Sequence, residues 1–381
     1  MSLFSLYLHV PFCLSKCGYC SFHSQALGGN PDSSIEAWLT GVSREAGYIG
    51  RIWGGRPPLR TVFVGGGTPT VLPPSAWRRL LRLLENAFDL SEIQEATVEA
   101  NPCSLTEEHL TLWRDSFVTR VSLGVQSLQD DELLWMGRRH DARTALRAIE
   151  RTLACGFDTS ADLIFGVASQ TLRGWHDTLR RVVASGVGHI STYQLTLEAH
   201  TPLAEKLDRE KSELPEGYSF YRFAQWYLPR RGLAQYEIAS FARPGGECRH
   251  NLAYWRRENV LALGPAAWGY LRDDGFRYHN VFTPEEYASL TETGLPIAGA
   301  ERFEGRAAGA EAAILALRTK WGIDAAEFTN RFGRGLWEEI RAILEGIPRR
   351  LVRIDDDGAR LTPGGMRVGN AIWVELLSLD D

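Results

Sequence analysis

Lysine is almost missing from this chain: it stands only at positions 16, 206, 211 and 320, and every other basic residue is arginine. Basic residues number 42 against 47 acidic ones, a formal charge of -5. No basic footprint for nucleic acid follows from that balance. Long hydrophobic runs are lacking too. None approaches the roughly 18 apolar residues that a membrane span needs. The apolar start Leu3–Phe12 has no basic lead and no cleavage site, and it alternates like a strand. Cysteines number only six, which excludes a secreted disulfide framework. Cys103, Cys155 and Cys248 are scattered and read as reduced thiols. Internal repeats and low-complexity segments are absent. A cytoplasmic location is expected. What is present is globular: 381 residues, 44% hydrophobic and 23% charged, enough for two or three domains of roughly 150 residues each.

The other three cysteines stand together. Cys13, Cys17 and Cys20 form C-x3-C-x2-C within one loop, with no fourth cysteine beside them. Three thiolates can hold three irons of a [4Fe-4S] cluster, whereas an electron-transfer cluster is closed by four. The fourth iron is then open to a small molecule, as in catalytic metal sites that keep one position free. A zinc site completed by His9 or His23 is the alternative on spacing alone.

From residue 4 to about 240, strand and helix patterns alternate. Strands are predicted at Phe4–Val10, Thr61–Val64, Ala96–Glu99, Arg120–Val125, Thr159–Phe165 and His189–Thr196. Helices are predicted at Ser34–Ile52, Ser75–Ala87, Glu107–Arg114, Ala142–Ala154 and Leu172–Ala184. Such units build a parallel sheet with helices outside it, and six of them suit a closed or partly closed barrel. Functional residues then gather at the C-terminal strand ends. The cysteine loop follows the first strand, Gly65–Gly67 follows the second, and Glu99 ends the third. By the period of two, Phe4, Leu6, Leu8 and Val10 share one face of the first strand, and Tyr7 and His9 the other. Tyr7 is thus expected to look into the barrel near the cluster.

The charged stretch Leu203–Gly217 reads as a solvated linker. A helix at Tyr218–Leu228 and a strand at Tyr236–Ser240 follow. Helices at Gly309–Thr319, Ala325–Phe332 and Leu336–Glu345 precede a hairpin over Leu351–Leu361, with Asp-Asp-Gly in its turn. The expected organisation is a barrel at 1–240, an accessory region at 241–305 and a winged-helix-like domain at 306–381.

Glycines in Val64-Gly65-Gly66-Gly67-Thr68-Pro69 let backbone approach a ligand closely. This is no Walker loop, because the Lys-Ser/Thr is missing. Glu99 precedes a turn, and Asp162 interrupts an apolar strand. A buried carboxylate needs a partner. A ribose hydroxyl or an ammonium group would satisfy these two, and so would an internal hydrogen-bond network.

Taken together, Tyr7-x-His9-x-Pro11-Phe12-Cys13-x3-Cys17-x-Tyr19-Cys20, Gly65-Gly66-Gly67-Thr68-Pro69 and Glu99-x-Asn101-Pro102 resemble the radical S-adenosylmethionine (SAM) superfamily, in its coproporphyrinogen dehydrogenase-like branch. Arg120-x-Ser122-x-Gly124-Val125-Gln126-Ser127, Gly137-Arg138-x-His140 and Asp162-Leu163-Ile164-x-Gly166 extend the resemblance over most of the first 240 residues. It implies an α/β fold: a partial (β/α)6 barrel of radical SAM type with a C-terminal helical, winged-helix-like domain. Cys13, Cys17 and Cys20 would ligate a [4Fe-4S] cluster. Gly66, Gly67 and Thr68 would contact SAM, and Tyr7, Tyr19, Glu99, Gln126, Arg138 and Asp162 would complete its pocket. The cluster would pass an electron to the sulfonium, the cofactor carrying the difficult chemistry.

Tyr236-Glu237-x-Ala239-Ser240-x-Ala242, His250-Asn251-x2-Tyr254-Trp255, Leu317-Arg318-x3-Gly322 and Phe328-x3-Phe332-Gly333 are similar to the HemW-type heme chaperones. Phe22 stands where true coproporphyrinogen dehydrogenases carry a further cysteine. In the chaperone reading His250 contacts heme, histidine being a common axial ligand, with Tyr254 and Trp255 as a flat wall. A heme-accepting protein is the implied partner. The sequence departs from the branch at Ala168, which lacks the usual proline, and at Ala266 and Trp268, where glycine and a smaller residue or histidine are usual. Rival readings are oxidative decarboxylation of coproporphyrinogen III, related radical chemistry on another substrate, and a zinc-stabilised interaction protein.

Overall fold

A computed structural model describes residues 3–28, 30–199, 201–211 and 213–377. Strands β1 (Phe4–Val10), β2 (Leu59–Gly66), β3 (Glu95–Ala100), β4 (Arg120–Gln126), β5 (Asp158–Phe165) and β6 (His189–Gln194) lie side by side in chain order, all parallel. The helices between them are α1 (Pro31–Trp53), α2 (Pro74–Ala87), α3 (Glu107–Arg114), a short α4 (Asp130–Trp135) absent from the prediction, α5 (Ala142–Ala154) and α6 (Leu172–Ala184). The sheet stays open. Beside β1 runs a further parallel strand, Val260–Leu263, and beside β6 an antiparallel one, Ser240–Ala242. This is the expected partial barrel.

Period-two alternation decides which face is core. Leu6, Leu8 and Val10 are fully buried against the outer helices, while Tyr7 turns inward to stack on Phe63. Four fully buried tryptophans, Trp38, Trp77, Trp113 and Trp175, come one each from α1, α2, α3 and α6. Each brings a large apolar area and a polar N–H that needs an acceptor. Trp38 Nε1 donates to His9 O and Trp77 Nε1 to Pro69 O, both at 3.1 Å. Two helices are thereby pinned to the strand ends where the cysteine loop and the glycine run begin.

The expected limit at residue 240 falls within a continuous sheet. Ser240–Ala242 straddles it, and Trp268–Leu271, Phe276–Asn280 and Ile297–Arg302 extend the sheet beyond Val260–Leu263. Buried Glu45 of α1 ties this region on. It accepts from Gly264 N at 2.9 Å, Asn280 Nδ2 at 2.7 Å and Tyr287 Oη at 2.6 Å. Helices Gly305–Leu317, Ala325–Phe332 and Arg334–Glu345 then enclose a core of their own with the hairpin Val352–Asp355/Gly358–Leu361 and the helix Gly369–Leu377.

Two predicted elements are corrected. The charged stretch expected to be a linker contains helix α7, Pro202–Glu210, capped by Thr201 with proline at its start. Leu203 and Leu207 share one face and are buried, so charge density hid an apolar stripe. The expected strand Tyr236–Ser240 is instead the turn joining Ala234–Gln235 to Ser240–Ala242. Its polar members bond elsewhere: Tyr236 Oη lies 2.9 Å from His189 Nε2 and accepts from Cys248 N at 3.2 Å.

Candidate functional site

The loop from Cys13 to Ser24 is closed at its base by a two-residue ladder, Phe12–Cys13 against Gln25–Ala26. Its middle is held from outside. Gly18 N donates to Met136 O at 3.3 Å, and Leu203 N of α7 donates to Gly18 O at 2.9 Å. A Cβ at Gly18 would stand 2.9 Å from Leu203 Cγ, so glycine lets the helix close on the loop. His9 lies beneath. Its Nε2 meets His23 O at 2.8 Å and its Nδ1 meets Tyr7 Oη at 3.1 Å. Burial lowers its pKa to about 4, so it is neutral with both ring nitrogens engaged. That removes His9 from a zinc set. His23 stacks on Phe282. Among the described residues, no three His, Cys, Asp or Glu side chains gather around a single ion position.

One cavity of about 500 Å³ is lined by Cys13, Cys17, Tyr19, Cys20, Gly66, Gly67, Thr68, Glu99, Gln126, Arg138 and Asp162. Of the thirteen predicted site residues the cavity holds these eleven, and Tyr7 and His250 lie outside it. Thr68 Oγ1 donates to Cys13 Sγ at 3.4 Å, and Arg138 Nη1 to Cys17 Sγ at 3.5 Å. Both donors point at the sulfur atoms that would bind metal. Arg138 also donates to Gly124 O at 2.8 Å, which fixes the guanidinium over the loop. At Gly67 a Cβ would stand 2.5 Å from Phe12 O, and Gly66 has a φ of 107° with the His9 ring against it. Only glycine fits either place. These thiols, donors and glycines suit a cluster with a ligand laid close along the backbone.

The same cavity holds two half-buried carboxylates, Glu99 and Asp162. Glu99 Oε2 accepts from Gly66 N at 3.0 Å. Burial, and then the charge of Asp162, raise its pKa to about 8. Asp162 Oδ2 accepts from Ser122 Oγ at 2.8 Å, and burial raises its pKa as well. Ser191 bonds Asp162 as well, and both carboxylates line the cavity, where an ammonium or hydroxyl group could meet them. Gln126 ends β4 at a φ of 64°, a conformation rare outside glycine. His140, quoted in the same motif, is a brace: its Nε2 lies 3.1 Å from Val125 O.

Tyr7 and His250 line a separate inner cavity of about 210 Å³, bounded also by Glu99, Asp162 and Arg120. His250 is buried, stacked on Phe63, with Nδ1 2.8 Å from Thr61 Oγ1. Burial lowers its pKa to about 3. A chamber of this size lies below the roughly 300 Å³ at which small-molecule pockets begin. A heme therefore does not reach His250 in this conformation. The His250-Asn251-x2-Tyr254-Trp255 motif spans two cavities: His250 lines the inner one, Trp255 an outer one, and Asn251 and Tyr254 line both. Sequence reasoning missed Ser122 and Tyr193, which also line the cysteine pocket. Their positions on β4 and at the end of β6 were the available signal.

Comparison with known proteins fits this geometry. Residues 7–182 match the model of the radical SAM superfamily, and residues 305–368 match that of the HemN C-terminal domain. The heme chaperone HemW of Bacillus subtilis is 31% identical over 97% of this chain and 98% of its own length. That of Mycobacterium tuberculosis is 34% identical over 98% and 95%. Among solved structures, coproporphyrinogen III oxidase (HemN) from Escherichia coli superposes with a TM-score of 0.83 at 20% identity, covering 98% of this chain and 90% of that one.

Proposed function

Because this chain belongs to the HemW group of the radical SAM superfamily, we propose that it is a cytoplasmic heme chaperone, which binds heme and passes it to an acceptor protein. The observation that carries this reading is similarity to heme chaperones along nearly the whole length, C-terminal domain included. The superfamily works with a [4Fe-4S] cluster and SAM. When bound, the cluster supplies an electron to the SAM sulfonium.

The chain's own residues have defined tasks in this proposal. Cys13, Cys17 and Cys20 would hold the cluster. Thr68 and Arg138 hold the thiolates by hydrogen bonds. Gly66 and Gly67 admit SAM against the backbone, and Glu99 and Asp162 receive its ammonium or ribose hydroxyls. Tyr19, Gln126 and Arg138 close the wall. Tyr7, placed in the inner chamber, supports the pocket through His9 rather than by lining it. Among the described residues no helix is long and apolar enough to cross a membrane.

The test is anaerobic incubation of reconstituted protein with reductant, SAM and coproporphyrinogen III, in parallel with hemin binding. Heme binding without vinyl products is expected. Vinyl products would overturn the chaperone reading in favour of oxidative decarboxylation. Zinc in place of iron and sulfide after anaerobic purification would overturn the cluster assignment.

A further inference from the structure

A cavity of about 1040 Å³ separates the barrel's outer strands from the C-terminal domain. Tyr254, Trp255, Trp268 and Tyr270 wall one side and Trp373 the other. Tyr193 and Gln194, at the end of β6, line both this cavity and the cysteine pocket. A molecule held here would therefore sit beside the cluster site.

The charges in the cavity are nearly all answered. Glu311 pairs with Arg257 at 3.0 Å and with Arg277, and Glu258 pairs with Arg60 at 2.9 Å. Arg367 donates to Gln225 Oε1 at 2.7 Å. Arg318 differs. It feels the charge of Glu237, but it forms no ion pair among the described residues. Its guanidinium lies over the Trp255 ring at 4.4 Å and the Trp373 ring at 4.8 Å. Arg318 Nε, Trp255 Nε1 and Trp373 Nε1 are all buried without an acceptor. Unanswered buried donors destabilise a fold, and three at one corner ask for a common acceptor.

We propose that this cleft, rather than His250, is the cargo site, taking a flat aromatic macrocycle whose carboxylate is received by Arg318 between Trp255 and Trp373. The proposal rests on the heme reading above. Aromatic walls match the faces of a planar tetrapyrrole. A guanidinium held between two indoles is oriented in advance for a carboxylate. The volume suits a ligand of that size. Histidine and cysteine are absent from the lining, which includes Met366; the recognition proposed is of the macrocycle's faces and its acid groups.

Hemin and hemin dimethyl ester, titrated anaerobically into the reconstituted full-length chain, test this directly. The ester is expected to bind about tenfold or more weakly, the scale of a lost charged hydrogen bond. Arg318→Gln should weaken hemin by a similar factor and leave the ester unchanged. His250→Ala should leave hemin affinity unchanged, with circular dichroism confirming each fold. Equal binding of acid and ester by the unaltered chain would overturn the proposal, and that arm decides even if Arg318→Gln does not fold. Loss of hemin binding in His250→Ala alone would also overturn it, while keeping the heme reading. Absence of saturable hemin binding in the unaltered chain would overturn both.

Discussion

Cys17 shows how a single side chain joins loop geometry to chemistry. It receives a hydrogen bond from Arg138 and faces the pocket that Glu99 and Asp162 close. Cys17→Ala removes one thiol from a half-exposed loop and no core volume. The variant is expected to lose the brown cluster absorbance and SAM cleavage while keeping its far-UV circular dichroism; retained absorbance would show that the ligand set is wrong. Ala266 makes a different point. The resemblance marks it as a departure from glycine, and the structure gives the reason glycine is usual: φ is 58°. An L-residue pays about 1–2 kcal/mol for that region. Ala266→Gly should raise stability by about 1 kcal/mol in urea unfolding, less any entropy gained by the unfolded chain. The strand-end residues were legible because alternation and topology both point there. The inward turn of His250 was not, because one histidine in a motif carries no sign of which face its helix presents.

At the scale of elements, α7 and α1 matter most. Helix α7 braces the cysteine loop through Leu203, which packs on Gly18. Leu203→Ala removes a buried side chain, a change worth about 2–5 kcal/mol. It should lower the thermal midpoint and hasten bleaching of the cluster in air several-fold; an unchanged bleaching rate would separate the helix from the loop. The sequence concealed this helix because eight residues of the segment Leu203–Gly217 are charged and only the Leu203–Leu207 spacing spoke for it. Glu45 ties α1 to the accessory strands. Burial raises its pKa to about 7, against the opposing hydrogen bonds from Tyr287, Gly264 and Asn280. The folded state therefore holds a proton that the unfolded chain releases near pH 4.5. Its contribution to stability is full below that value and is lost as pH rises through about 7, by about 3 kcal/mol in all. Urea unfolding at pH 5 and pH 8 should show that loss, and Glu45→Gln should reduce the difference between the two.

For the whole molecule, the barrel and the C-terminal domain enclose a cleft that neither forms alone. Its corner at Arg318 takes one indole from the helix Arg249–Trp255 and another from the terminal helix Gly369–Leu377. Strand order and the cysteine loop were readable from local pattern, because each rests on residues close in sequence. The cleft was not, since Trp255, Arg318 and Trp373 meet only through tertiary packing. Heme carriage is the central claim, and hemin titration of the anaerobically reconstituted protein, followed in the Soret band, tests it most directly. Saturation at one heme per chain is the expected result. Uptake that rises without saturation would contradict it.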